Sequence, residues 1–218
     1  MKKRILVTLM VMSLIFAGIT ACGGSEKKET TPATETTAET TAETEAVKEY
    51  AQGTVTETGW ESEWLNMKFT AGEGIHMLSQ EELDQATAAG EEVANAEMAE
   101  GVQYEMMAMA EVGLPNVSVI VEKVPMEPEK YLELVTEQLK SMDSEMEITV
   151  KDGGVKDGAL AGNAYKILEA DNSYQGVNMT QRYYVRKQGA YMIEVVATGA
   201  ADDVATMDAM LASFEALK

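Results

Sequence analysis

Residues Asn178 to Thr198 read NMTQRYYVRKQGAYMIEVVAT. Two runs rich in β-branched and aromatic side chains flank Gln188-Gly189, so the stretch predicts a β-hairpin, Asn178 to Lys187 returning as Ala190 to Thr198. In the second run Tyr191, Ile193, Val195 and Ala197 take one face, the period-2 pattern of a strand against a core. A tight hairpin near the end of the chain makes the sheet it belongs to mainly antiparallel.

Working outward, Leu65, Met67 and Phe69 alternate with Asn66, Lys68 and Thr70, and a turn follows at Gly72 and Gly74. Ser79-Gln80-Glu81-Glu82 fits a capping box, with Ser79 as N-cap and Glu82 at N3 of an alanine-rich helix. Val102 to Ala110 and Val117 to Val124 read as strands joined across Gly113-Leu114-Pro115-Asn116. Pro128 opens a second helix, whose apolar stripe is Tyr131, Val135, Leu139 and Met142. Glu147 to Lys151 is a strand running into a glycine-rich turn, and Tyr165 and Ile167 mark another. A closing helix from about Asp202 to Leu217 would present Val204, Met207, Leu211, Phe214 and Leu217 on one side. The expected class is α+β, a mainly antiparallel sheet covered by helices.

The N-terminal quarter has another character. Lys2-Lys3-Arg4 precedes an apolar run from Ile5 to Ile19, the charged start and hydrophobic centre of a secretory signal, short for a membrane span of ~20 residues. From Gly23 to about Gly53 the chain is a Thr/Glu-rich tract in which Thr37-Ala38-Glu39-Thr40 repeats as Thr41-Ala42-Glu43-Thr44. Almost nothing larger than alanine occurs before Val47, so no apolar burial offsets the entropy of folding it. As a coil the tract spans about 30 Å, and roughly 100 Å when stretched. The expected divisions are 1–21 signal peptide, 22–53 tether and 54–218 globular domain.

Bulk chemistry narrows function by exclusion. The 218 residues carry a net charge of −20, and 45% are hydrophobic. Removing Met1 to Ala21 leaves 14 of the 17 basic residues against all 37 acidic ones, a net −23. Such a surface repels nucleic-acid phosphates. One cysteine, Cys22, allows no internal disulfide, and one histidine, His76, allows no multi-histidine metal site. No cofactor is expected. Asp152-Gly153-Gly154 and Asp157-Gly158 superficially suggest a calcium loop, but Val155 and Lys156 interrupt the required ligand positions, which leaves turn chemistry. Met106, Met107 and Met109 suggest a soft-metal site, yet neighbours on a strand point to opposite faces, which favours core packing. Trp60 and Trp64 are either binding anchors or cover for the core edge. His76 as a general base needs a carboxylate that sequence spacing does not supply. The acidic stretch Glu91 to Glu100 reads as a solvated face or as a dock for a cation.

Two resemblances complete the reading. Ile19-Thr20-Ala21-Cys22 resembles the lipobox of bacterial lipoproteins, which implies cleavage between Ala21 and Cys22 and a diacylglyceryl group, with palmitate-type chains, on the Cys22 thiol. Two acyl chains anchor stably where one is marginal. Asn66-Met67-Lys68-Phe69-Thr70, Ala161-Gly162-Asn163-Ala164-Tyr165-Lys166-Ile167 and Tyr183 to Ile193 resemble the PsbP-like bacterial lipoproteins. Their pattern has an early strand followed by Pro-x-x-Trp, a later Gly-x-x-Ala-Tyr strand, and a hairpin before a terminal helix. Ala71-Gly72-Glu73-Gly74-Ile75 departs from the first of these. The resemblance implies an α/β/α sandwich and an adaptor role, with no catalytic residues.

The expectation is a non-enzymatic lipoprotein on the extracytoplasmic face of the bacterial cell membrane, bound to the membrane through Cys22 and scaffolding an envelope protein or glycan. Two alternatives stay open: a carboxylate-based hydrolase of wall or glycan, which needs no histidine, and a small solute-binding lipoprotein of a transporter.

Overall fold

A computed structural model describes residues 49–85, 102–141, 147–151, 153–174 and 176–217. The hairpin is its longest feature: β10 (Val177–Gln188) pairs with β11 (Tyr191–Ala200) from Met179↔Ala200 to Gln188↔Tyr191. The two-residue loop is Gly189-Ala190, one position later than the sequence reading. Gly189 takes φ +60°, the sign a II′ turn requires at its first position.

Around this hairpin an antiparallel sheet is ordered β4-β5-β6-β11-β10-β9-β7. Its other strands are β4 (Ile75–Met77), β5 (Val102–Ala110), β6 (Asn116–Lys123), β7 (Glu147–Val150) and β9 (Asn163–Tyr174). The strand β8 (Lys156–Leu160) pairs with the first half of β9, while β7 pairs with its second half. Gly153 and Gly154, at φ +95° and +57°, lie in the connection between β7 and β8. Asp152 lies outside the described residues.

Both faces of this sheet are buried, and different layers cover them. On one face Tyr104, Met107, Ile120, Leu168, Tyr183 and Val196 pack against helices. These are α1, described over 80–85, and α2 (Pro128–Ser141), which contributes Tyr131, Leu132, Val135 and Leu139. On the other face Met106, Val119, Tyr184, Ile193 and Val195 pack against Trp60, Met67 and Phe69 of a second sheet. That sheet is ordered β1-β2-β3-β12, from β1 (Thr54–Thr56), β2 (Gly59–Ser62), β3 (Met67–Thr70) and β12 (Phe214–Ala216). The short helix α3 (Val204–Leu211) adds Met207, Met210 and Leu211 to the same layer. The expected helix-covered sandwich is therefore corrected on one side: the molecule is helix, sheet, sheet.

The reason lies at the C-terminus. The expected helix to Leu217 stops at Leu211, and Phe214–Ala216 pairs with β3 instead. Positions 204, 207, 211 and 214 fit a helical stripe, but β3 would otherwise present an unpaired edge. Strand pairing satisfies that edge and sets Phe214 against Phe69 with ring centroids 4.9 Å apart. Asp203 caps α3 by accepting from the Thr206 backbone N–H at 3.3 Å.

Candidate functional site

A cleft of about 840 Å³ opens where the edge strands of the two sheets meet. β1 and its flanks supply Gly53, Val55, Thr56 and Glu57, and β4 with the start of α1 supplies His76, Met77, Leu78 and Glu82. Met77 and Leu78 are buried, whereas His76 and Glu57 stand exposed at the rim. Each strand has one hydrogen-bonded neighbour in its sheet, β1 with β2 and β4 with β5. The cleft thus combines an apolar floor, a charged rim and two strand edges.

The predicted capping box forms as written and lines the cleft. Glu82 Oε2 accepts from the Ser79 backbone N–H and hydroxyl, both at 2.8 Å, and the Glu82 backbone N–H approaches Ser79 Oγ at 3.4 Å. The Ser79 backbone N–H is the chief reason the Glu82 carboxyl is held below its ordinary range. His76 Nε2 lies 3.6 Å from Glu82 Oε1. A partner carboxylate for the only histidine therefore exists, although its other oxygen is committed to the helix cap.

The chain enters this cleft through a latch that the sequence did not reveal. The register of β5 and β6 shifts between Tyr104 and Met106, and the bulge carries Glu105, which is fully buried. Its carboxylate accepts from Tyr50 Oη at 2.6 Å and from the Gly53 backbone N–H at 2.7 Å. Burial raises the Glu105 pKa, and the donors Tyr50 and Gly53 oppose that shift in part. A Cβ on Gly53 would stand 2.4 Å from Trp60 Nε1 and 2.7 Å from the Glu61 carbonyl, so only glycine fits. Tyr50 also packs edge-on to Trp64 at 5.1 Å and beside Tyr191 at 5.3 Å. Residues 50–53, read as the end of the tether, are part of the folded unit.

A second acidic feature is sealed beneath α2. Glu194 on β11 is 0% exposed and Glu122 on β6 is 5% exposed. Tyr131 of α2 donates its hydroxyl to Glu194 Oε1 and lies within reach of Glu122 as well. Burial, and then the charge of Glu122, holds the Glu194 carboxyl well above the ordinary range. No substrate reaches this pair, so it is not the open carboxylate pair of a glycosidase.

Of the other residues raised by the sequence, Trp60 and Trp64 are 1% and 7% exposed and serve the core. Met106 faces the second sheet while Met107 and Met109 face the helices, so the three do not converge. Asp157 pairs with Lys166 at 2.6 Å. Tyr165 is buried, donates to Met67 Sδ at 3.2 Å and accepts from Arg186 Nε at 3.1 Å. Among the described residues no three His, Cys, Asp or Glu side chains gather as a metal site. Ala21, Cys22 and the acidic stretch Glu91 to Glu100 lie outside the described residues.

No family model matches the chain, and no curated protein matches it. Among solved structures it is similar to LpqN, involved in cell envelope biogenesis of Mycobacterium tuberculosis. The identity is 12% over 68% of this chain and 82% of that one, with a TM-score of 0.44. It is also similar to cyanobacterial PsbP (CyanoP) from Synechocystis sp. PCC 6803, at 12% identity over 78% and 98% of the two chains, again with a TM-score of 0.44. Similarity at this level transfers neither an activity nor a site.

Proposed function

We propose that the protein is a lipid-anchored, extracytoplasmic binding module that takes its ligand in the cleft between β1 and β4. The observation that supports this most directly is continuity: Gly53, held by the Glu105 latch, lines the cleft, and β1 follows it at once as a wall. Whatever the cleft holds therefore sits at the root of the tether, at the end of the domain joined to the anchor. The volume falls within the roughly 300–1,000 Å³ typical of ligand pockets, and an apolar floor with a few polar groups is their usual lining. The lipobox-like Ile19-Thr20-Ala21-Cys22 supplies the anchor in this reading, and the PsbP-like resemblance belongs to the proposal with it.

Photo-crosslinking on intact cells tests this. A crosslinker at Gln80, on the cleft rim, is expected to capture one envelope component. The same group at Val177, an exposed position on β10 four strands across the large sheet from β4, is expected to capture none in common with it. Identical sets of abundant neighbours from both positions would remove the cleft from the proposal. Cys22→Ala tests the anchor separately: membrane retention of a processed protein would refute lipidation.

A further inference from the structure

The large sheet carries Glu122 and Glu194 in the middle of apolar strands, and among the described residues neither has a cationic partner. Glu122 opposes Met192 and Glu194 opposes Ile120 on adjacent strands, which sets the two carboxyls as diagonal neighbours on one face. The groups acting on them are each other and the Tyr131 hydroxyl. From the remaining elements that pack here, β5 presents Tyr104, β10 presents Tyr183, and β9 and α1 present the uncharged Leu168, Ala170 and Leu83. All three tyrosines are held neutral: burial, then the charge of Glu194, raises their hydroxyls. Glu122 Oε1, Glu194 Oε2 and the Tyr104 hydroxyl have no hydrogen-bond partner among the described residues.

Two carboxylates bond to one another only through a proton. An unshared pair of like charges at this depth is the least favourable state open to them. We propose that Glu122 and Glu194 share a proton and form a clasp that holds α2 on the sheet and loosens as pH rises. In the closed state the O–H of one acid donates to a carboxylate oxygen of the other, while Tyr131 donates to Glu194 Oε1. As pH rises the proton passes to water and leaves two anions beneath Tyr131. The sheet resists, because β6 and β11 are joined over eight paired positions. Among the described residues α2 meets this pair through the Tyr131 side chain, so the helix is the element that yields.

The sign follows from linkage. Both acids titrate above 4.5 when folded, so the folded state binds more protons than the unfolded chain as pH rises from there. Stability is full below about pH 4.5 and declines through the raised folded values.

The test compares wild type with Glu122→Gln and Glu194→Gln from pH 5 to 9. Each amide keeps the shape, donates an N–H to the remaining acid and removes one proton from the titration. Wild-type α2 amides, corrected for intrinsic exchange, should exchange at least tenfold faster at pH 9 than at pH 5, while those of β10 and β11 stay protected. In each variant that ratio should fall toward one. A wild-type ratio already near one overturns the proposal. So does a melting-temperature rise on adding sodium, potassium or calcium chloride that is lost in Glu194→Gln, since a bound cation would then be neutralising the pair. If neither variant folds, infrared spectroscopy of the wild type decides: a protonated-carboxyl C=O band should persist above pH 5, and its absence refutes the clasp.

Discussion

The two faces of the large sheet each bury glutamate, and they manage the charge differently. Glu105, on the face toward the second sheet, meets neutral donors from Tyr50 and Gly53. Glu194, on the face toward α2, meets another acid. Donors leave the first with a raised pKa but a set of bonds that favour the anion. The second sits well above the ordinary range, and only a proton relieves it. Hydrogen-bond donors thus fix one acid in a constant role, as an anchor for the incoming chain, whereas the acid pair has a role that changes with pH.

The largest effect that would break this comparison is at Glu105. Glu105→Ala takes the acceptor from the half-buried Tyr50 hydroxyl and Gly53 N–H, at ~1–3 kcal/mol for each group that water does not satisfy in its place. A loss of about 3 kcal/mol is expected in urea unfolding, with new proteolytic cleavage between residues 48 and 53. Glu105→Gln keeps one acceptor oxygen and should recover part of that loss. If Glu105→Ala unfolds at the wild-type urea midpoint, the latch is not holding the chain.

Tyr131 sharpens the other side. Its hydroxyl lowers the Glu194 pKa against the effect of burial, so Tyr131→Phe removes the donor that best tolerates the anion. The expected cost is about 1 kcal/mol at pH 4 and larger at pH 8, because a donor that favours the anion counts for more as the shared proton is lost. Unfolding curves at the two values check this, and a cost independent of pH would contradict the assigned partner.

Much of the fold was legible because the signals were local. The 178–198 hairpin, the strand Val102–Ala110 and the stripe Tyr131, Val135, Leu139 are written in side-chain period, and the cap at Ser79 in four consecutive residues. β12 was not legible, because Phe214 completes a helical stripe as well as it pairs with Phe69. Only tertiary pairing decides between them. The buried acids were missed for a related reason. Alternation assigns an in-strand glutamate to solvent, and that inference fails when both faces are covered. The near-continuous apolar runs around Ser118 and from Ile193 to Ala197 carry that warning, since such runs mark strands buried on both sides. Nothing local marked Glu105, whose partners Tyr50 and Gly53 lie more than fifty residues earlier. His76 and Glu82, six residues apart, were individually legible, but a cleft between edge strands of two different sheets was not.

The smallest expected effect uses Glu82 as the third case, an exposed acid whose donors outweigh the small opposing effect of burial. Its pKa is lowered, first by the Ser79 backbone N–H, so donors prevail where burial is slight, while at Glu105, where burial is deep, the carboxyl moves up. Ser79→Ala removes the hydroxyl and leaves the backbone donor in place. The cost should be about 0.5–1 kcal/mol at pH 7, the usual range for a lost N-cap. A carboxylate with a lowered folded pKa contributes stability above its unfolded value and loses it as pH falls through the folded one. The penalty of Ser79→Ala should therefore shrink in acid, opposite in direction to the clasp, whose contribution is complete there. Urea midpoints of the variant and wild type at pH 7 and pH 3 separate the two signs. A penalty that grows in acid would mean that Glu82 is not held by its cap, and the ordering from Glu82 through Glu105 to Glu194 would lose its lowest member.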